Sequence, residues 1–163
     1  MKNHLKTIKR RFDAANSQAL LSGGAVLTWL ATGKETGGQF SLFEAKGIPG
    51  MEPPPHIHEN EDETYYLLEG EMLFRVGEEE FVGKPGDFVF LPRHVRHEFK
   101  VLSPKFRCLV GIYPAGLEEY FALLSVPYSL SDIPPLATAP PPPEAMEMMQ
   151  KLDRQFGITY FIE

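Results

Sequence analysis

Gly50-Met51-Glu52-Pro53-Pro54-Pro55-His56-Ile57-His58-Glu59-Asn60-Glu61-Asp62-Glu63, closed by Gly70, is the stretch from which the rest of the chain is read. His56 and His58 are two positions apart, so on an extended strand both side chains leave the same face and can meet one ion. Glu63 is at an odd offset from His58, so a continuous strand would send it to the other face, and the polar run Glu59-Asn60-Glu61-Asp62 must turn the chain back. Two strands then supply three candidate ligands. A fourth lies in Gly86-Asp87-Phe88-Val89-Phe90-Leu91-Pro92-Arg93-His94-Val95-Arg96-His97, where Pro-Gly punctuation precedes an apolar strand, a short turn and a histidine.

These two stretches resemble the paired signature of the cupin superfamily. Its first motif, G-x5-H-x-H-x4-E-x6-G, is met at every fixed position by Gly50, His56, His58, Glu63 and Gly70. The second, G-x5-P-x-G-x2-H-x3-N, is met by Gly86, Pro92 and His97; His94 stands at the turn glycine, and the final asparagine is replaced. Histidine tolerates a left-handed turn better than most residues, so the turn is expected to survive. The resemblance implies an all-β jelly-roll barrel, with His56, His58, Glu63 and His97 holding one divalent metal ion. Three of the five histidines fall at these ligand positions, and His4 and His94 are read as ordinary surface or core residues.

With 163 residues the chain has room for one well-buried domain and not for two of ordinary size. The formal charge of −6 argues against a nucleic-acid surface, which needs clustered Lys and Arg. Lys2, Lys6, Lys9, Arg10 and Arg11 make the N-terminus basic, but no apolar segment follows to form a secretory signal, and no run is long enough to span a bilayer. The expectation is a soluble cytoplasmic protein. Cys108, the single cysteine, sits in the apolar run 106–112 and reads as a small buried hydrophobe rather than a reactive thiol. Glu78-Glu79-Glu80 reads as a solvated hairpin tip.

Strand-like runs at 25–31, 39–45, 64–68, 71–76, 79–82, 87–91, 97–102 and 105–113, separated by Gly and Pro, fit a jelly roll. Leu117, Tyr120, Phe121 and Leu124 share one face of a short helix. Prolines at 134–135 and 140–143 mark an extended spacer. The helix expected over 144–156 has Ala145, Met148, Met149, Leu152 and Phe156 on one side and Gly157 as terminator, and the apolar segment 158–162 is able to dock. The organisation expected is an N-terminal arm (1–24), a cupin barrel (25–126), a Pro-rich linker (127–143) and a C-terminal helix and tail (144–163). A single small barrel need not cover the apolar tail, so a homodimer is expected.

Three neutral imidazoles and a carboxylate leave a divalent ion near +1, with about two positions free if it is octahedral. Such donors suit iron, nickel, manganese, cobalt, copper or zinc, and the choice stays open. A closed structural zinc site would be richer in cysteine. By alternation Tyr65, Leu67, Phe99 and Val101 face inward with the ligands, and Met72, Phe74 and Val76 are their partners. Tyr65, Leu67, Phe74 and Phe99 are therefore the candidate substrate pocket, apolar and aromatic, suited to a flat oxygenated small molecule.

Within the superfamily, residues 53–74 and the later Tyr113-Pro114-Ala115-Gly116-Leu117-Glu118-Glu119-Tyr120-Phe121 look like single-domain proteins similar to quercetin dioxygenase. That resemblance implies a metal-dependent dioxygenase that cleaves a flavonol-like or other enolic aromatic substrate with dioxygen. Glu63 would be ligand and proton acceptor, the latter only if the same metal acidifies the substrate proton. A redox-neutral metal cupin (an isomerase or decarboxylase) and a non-catalytic small-molecule-binding cupin use the same ligands and are the alternatives.

Overall fold

The computed structural model of the chain describes residues 5–10, 17–20, 25–128, 133–136 and 141–161. In chain order the elements are β1 (Ser17–Leu20), β2 (Val26–Ala31), α1 (Gly33–Thr36), β3 (Ser41–Gly47), β4 (His56–His58), β5 (Asp62–Glu69), β6 (Met72–Val76), β7 (Glu79–Gly83), β8 (Phe88–Leu91), β9 (His97–Val101), β10 (Phe106–Tyr113), α2 (Leu117–Leu123), β11 (Ser125–Pro127), α3 (Pro143–Phe156) and β12 (Ile158–Tyr160). The strands form a seven-stranded sheet, β11-β1-β2-β3-β10-β5-β8, and a five-stranded sheet, β12-β4-β9-β6-β7, antiparallel throughout. This is the expected all-β jelly roll with short helices. No helix among the described residues is long and apolar enough to cross a membrane.

Local chemistry sets the strand ends. At 84–87, Asp87 N–H donates to the Lys84 carbonyl at 2.9 Å and the Asp87 carboxylate accepts from Lys84 N–H at 2.8 Å. Pro85 supplies the fixed φ of the turn's first corner, and Gly86, at φ 98, takes the left-handed second corner. β3 is buried at every second residue, the period of a strand with one face on the core. Leu67, Met72, Phe74, Leu91, Cys108 and Ile112 are almost wholly excluded from solvent between the sheets. Burial pushes the Cys108 thiol up, in keeping with an inert packing residue. α2 lays Leu117 and Tyr120 into the core, with Phe121 and Leu124 packed beside them.

The sheets reach past the expected barrel limits at both ends. Part of the N-terminal arm is strand β1, which pairs with β2 and β11. The expected tail contributes β12, which pairs with β4 in the register Ile158↔His58, Thr159↔Ile57 and Tyr160↔His56. Gly157, at φ 69, ends α3 in the left-handed conformation, and the chain turns at once into β12. Leu152 and Phe156 pack on the core, and the Phe156 ring lies 5.6 Å from that of Tyr120. Met148 departs from the expected apolar face and is 48% exposed. It lies at the flank of the stripe made by Ala145, Met149, Leu152 and Phe156, where the helix has turned away from the barrel. Parts of the arm and the spacer, including residues 1–4, 11–16, 21–24, 129–132 and 137–140, lie outside the described residues.

Candidate metal centre

The two sheets bring the four sequence-derived ligands to one point. β4 carries His56 and His58 on the same face, and β9 sets His97 directly opposite His56. Glu63 comes from the facing sheet, where β5 holds it between Leu91 of β8 and Ile112 of β10. Crossing between sheets at 59–61 overcomes the odd offset between His58 and Glu63. The crossing is braced from the second motif. His94 takes the turn-glycine position at φ 64, and its N–H donates to the His58 carbonyl at 2.8 Å. Arg93 donates to both carboxylate oxygens of Asp62, at 3.1 and 2.7 Å, so the turn is clamped to the residue before Glu63.

One donor atom from each of His56, His58, Glu63 and His97 lies within 4.8 Å of all the others, and all four residues are buried. His97 Nε2 is 3.5 Å and His58 Nε2 is 3.8 Å from the Glu63 carboxylate. His56 Nδ1 is 2.9 Å from the Pro54 carbonyl and His97 Nδ1 is 3.0 Å from the Val95 carbonyl. These backbone contacts assign the proton to Nδ1 in both rings and leave Nε2 as a lone-pair donor. Among the described residues, His97 Nε2 and both nitrogens of His58 are buried without a hydrogen-bond partner. Such orphaned nitrogens are costly unless something else fills their valence. A divalent ion does so, and the donor set of imidazole and carboxylate fits one.

The electrostatics prepare the same state. Burial, reinforced by the neighbouring His97 and His58, brings the His56 pKa down to about 4. Burial also lowers His58. Burial alone would raise the Glu63 carboxyl, but His58 and His97 outweigh it and hold Glu63 at about 2. At neutral pH the cluster therefore offers neutral His56 and His58 rings and an ionised carboxylate, the forms that bind metal.

His56, His58 and Glu63 open into a cavity of ≈ 380 Å³. Tyr65 and Phe99 line it as expected from the pleat. Leu67 and Phe74 do not: both are core residues, and Phe74 packs behind Tyr65 and Phe99 with ring centroids 5.6 and 6.1 Å away. Alternation along a strand fixes the face a side chain takes but not its depth in the barrel, and these two lie beyond the open space. Much of the wall comes from residues that strand periodicity does not reach: Phe121 and Leu124 after the barrel, Met146 and Met149 on α3, and Tyr160 on β12. Tyr120, Asp153 and Tyr160 add a polar spot, and burial raises the pKa of each.

Glu61 has no role in the sequence reading beyond the polar turn at 59–62. It is 5% exposed, with Oε2 unpartnered among the described residues, and burial together with the charge of Glu63 raises its pKa to about 7. It stands in an unbroken polar run between exposed Glu59 and Asn60 and half-buried Asp62, so nothing in the local pattern marks it.

A family profile described as a cupin domain matches residues 47–110, which contain all four donors. Quercetin 2,3-dioxygenase of Bacillus subtilis (strain 168) is 32% identical over 117 residues, covering 71% of this chain and 34% of that protein. Quercetin 2,3-dioxygenase of Aspergillus japonicus is 25% identical over 154 residues, covering 85% of this chain and 44% of that protein. The chain thus spans less than half the length of either dioxygenase. Among solved structures, KdgF from Halomonas sp. aligns with a TM-score of 0.55 at 20% identity, over 63% of this chain and 91% of that one, a likeness of fold. With the signature complete in its first motif, the donors converged between the sheets and the cupin profile centred on them, residues 47–110 form a cupin domain, and the chain resembles quercetinase-like proteins.

Proposed function

We propose that the protein is a metal-dependent dioxygenase that cleaves a flavonol-like or other enolic aromatic substrate with dioxygen. The observation that carries this reading is the cluster of three imidazoles and one carboxylate, of which His56, His58 and Glu63 stand at the wall of a largely apolar, aromatic cavity. A flat oxygenated molecule suits such a space, because its rings gain from the apolar wall while its oxygens meet the polar end. The likeness to two quercetin 2,3-dioxygenases adds support.

In this reading His56, His58, Glu63 and His97 hold the ion, which when bound acidifies the substrate's enol hydroxyl and brings substrate and dioxygen together. Glu63 accepts the enol proton on a carboxylate oxygen. Its low pKa makes it a weak base on its own, so the transfer depends on the acidified hydroxyl. Tyr65 and Phe99 hold the substrate rings, and Phe121, Met149 and Ile158 help keep water from the reacting end.

The test is elemental analysis of protein purified without added metal, followed by oxygen uptake. Iron, nickel, manganese, cobalt and copper forms are assayed under air with a panel of flavonols and related enols. At least one form is expected to consume oxygen faster than free metal. If none does while a redox-neutral substrate is turned over or a ligand is merely bound, the reading is overturned.

A further inference from the structure

Glu52, whose carboxylate oxygens accept from the backbone N–H groups of Gly50 and Val101, and Gln150 also line the cavity, but three further polar side chains meet at one place. The Tyr120 hydroxyl of α2 donates to Asp153 Oδ1 of α3 at 2.8 Å, and the Tyr160 hydroxyl of β12 lies 3.3 Å from that of Tyr120. All three residues line the cavity, among apolar neighbours such as Leu124, Met146 and Met149. Tyr160 is paired across the strands with His56, and the two rings are 5.3 Å apart. The polar spot therefore adjoins the donor cluster while belonging to separate elements.

Proton accounting shows what this spot lacks. Each tyrosine hydroxyl has one proton to give and lone pairs to receive. Tyr120 gives its proton to Asp153, so the side-chain acceptor of the Tyr160 proton among the described residues is the Tyr120 oxygen, at 3.3 Å, beyond the usual 2.7–2.8 Å or so of an O–H···O bond. Among the described residues Asp153 Oδ2 receives no hydrogen bond from a side chain. Two donors thus serve three acceptors, one of them a carboxylate with room for more. The vacancy is for a hydroxyl donor.

We propose that Asp153, supported by Tyr120 and Tyr160, is a second anchor in the cavity. It accepts a hydrogen bond from a ligand hydroxyl other than the oxygens that chelate the metal. It is a specificity-determining site: flat ligands with such a further hydroxyl are selected over analogues that keep the chelating end but lack it. This rests on the reading of the cavity as a site for a flat enolic ligand at a metal. Hydrogen bonds to charged groups are about twice as strong as neutral ones, so the selection is expected to be roughly 10- to 100-fold.

The test measures binding, under argon, to protein loaded with redox-inert zinc. The probes are 3-hydroxyflavone and 3,4′-dihydroxyflavone, which share the 3-hydroxy-4-keto chelating end and have no other. Wild type is expected to bind the dihydroxy compound roughly 10- to 100-fold more tightly. In Asp153→Ala the preference should fall to within about threefold, with the affinity for 3-hydroxyflavone and the zinc content unchanged. Tyr160→Phe, which removes only an oxygen, should weaken the preference partway. If Asp153→Ala keeps the full preference with its dichroism spectrum intact, or if wild type binds both probes equally, the anchor is refuted and the flavonol-like reading stands. If zinc-loaded wild type binds neither probe, both are overturned.

Discussion

Replacing Leu152 by Ala tests whether α3 is part of the barrel. Leu152 is 7% exposed, whereas Met148 on the same helix is 48% exposed. Leu→Ala deletes three carbons, each worth about 0.8 kcal/mol when buried, for roughly 2–3 kcal/mol of transfer free energy. A residual cavity adds to this, and the better helix propensity of Ala returns a few tenths, which leaves a loss of about 2–4 kcal/mol. Met148→Ala should stay within about 0.5 kcal/mol, as exposed substitutions do. Urea unfolding followed by dichroism reads both. With a slope of about 2 kcal/mol per molar, Leu152→Ala should lower the midpoint by roughly 1–2 M and Met148→Ala hardly at all. Equal, small effects would mean that α3 contributes nothing to the folded barrel, and the docking argument would fail.

Four further outcomes are expected. His58→Ala, which removes a donor whose two nitrogens have no other partner, should lower metal content at least tenfold by elemental analysis. Glu63→Gln should keep the fold and some metal while turnover falls by about 10²- to 10⁴-fold, the usual effect of losing a general base; near-normal turnover would remove Glu63 from the chemistry. In the metal-free protein Glu61 binds its proton more tightly folded than unfolded, so its contribution to stability is lost as pH rises from 4.5 to about 7. Glu61→Gln should accordingly gain stability relative to wild type across that window, and a constant difference in denaturation free energy would contradict the assignment. Finally, we propose that two chains pair, through the exposed Tyr66, Phe88 and Phe90 at the β8 edge rather than through the tail helix. A sedimenting species of 18.4 kDa at micromolar concentration would exclude this.

The ligand cluster was legible in the sequence because its geometry is local. Two residues on a strand share a face whatever the rest of the chain does, and the motif spacing tied Glu63 and His97 to that pair. The principal strands and both longer helices were legible for the same reason, since periodicity is a property of neighbours. What was not legible depends on partners far away in the chain. β1, β11 and β12 are too short to show a period and exist by pairing, β12 with a strand about a hundred residues upstream. Leu67 and Phe74 could be given a face but not a depth. Glu61 belongs to a polar turn whose composition does not show which of its residues is buried. Tyr120, Asp153 and Tyr160 meet only because α2, α3 and β12 converge, and no spacing encodes that.

The division of the cavity between two parts of the chain has a consequence for how such a protein can change. All four metal donors lie between residues 56 and 97, whereas Met146, Met149, Asp153, Ile158 and Tyr160 of the cavity wall lie between 146 and 160. Variation in the second stretch can therefore reshape what the cavity admits without replacing a single donor, and the three cross-strand pairs to β4 keep each variant wall in register. For an engineer, the segment from α3 to β12 is a cassette: exchanging it between related barrels would transfer ligand preference while the metal chemistry of the recipient stays in place.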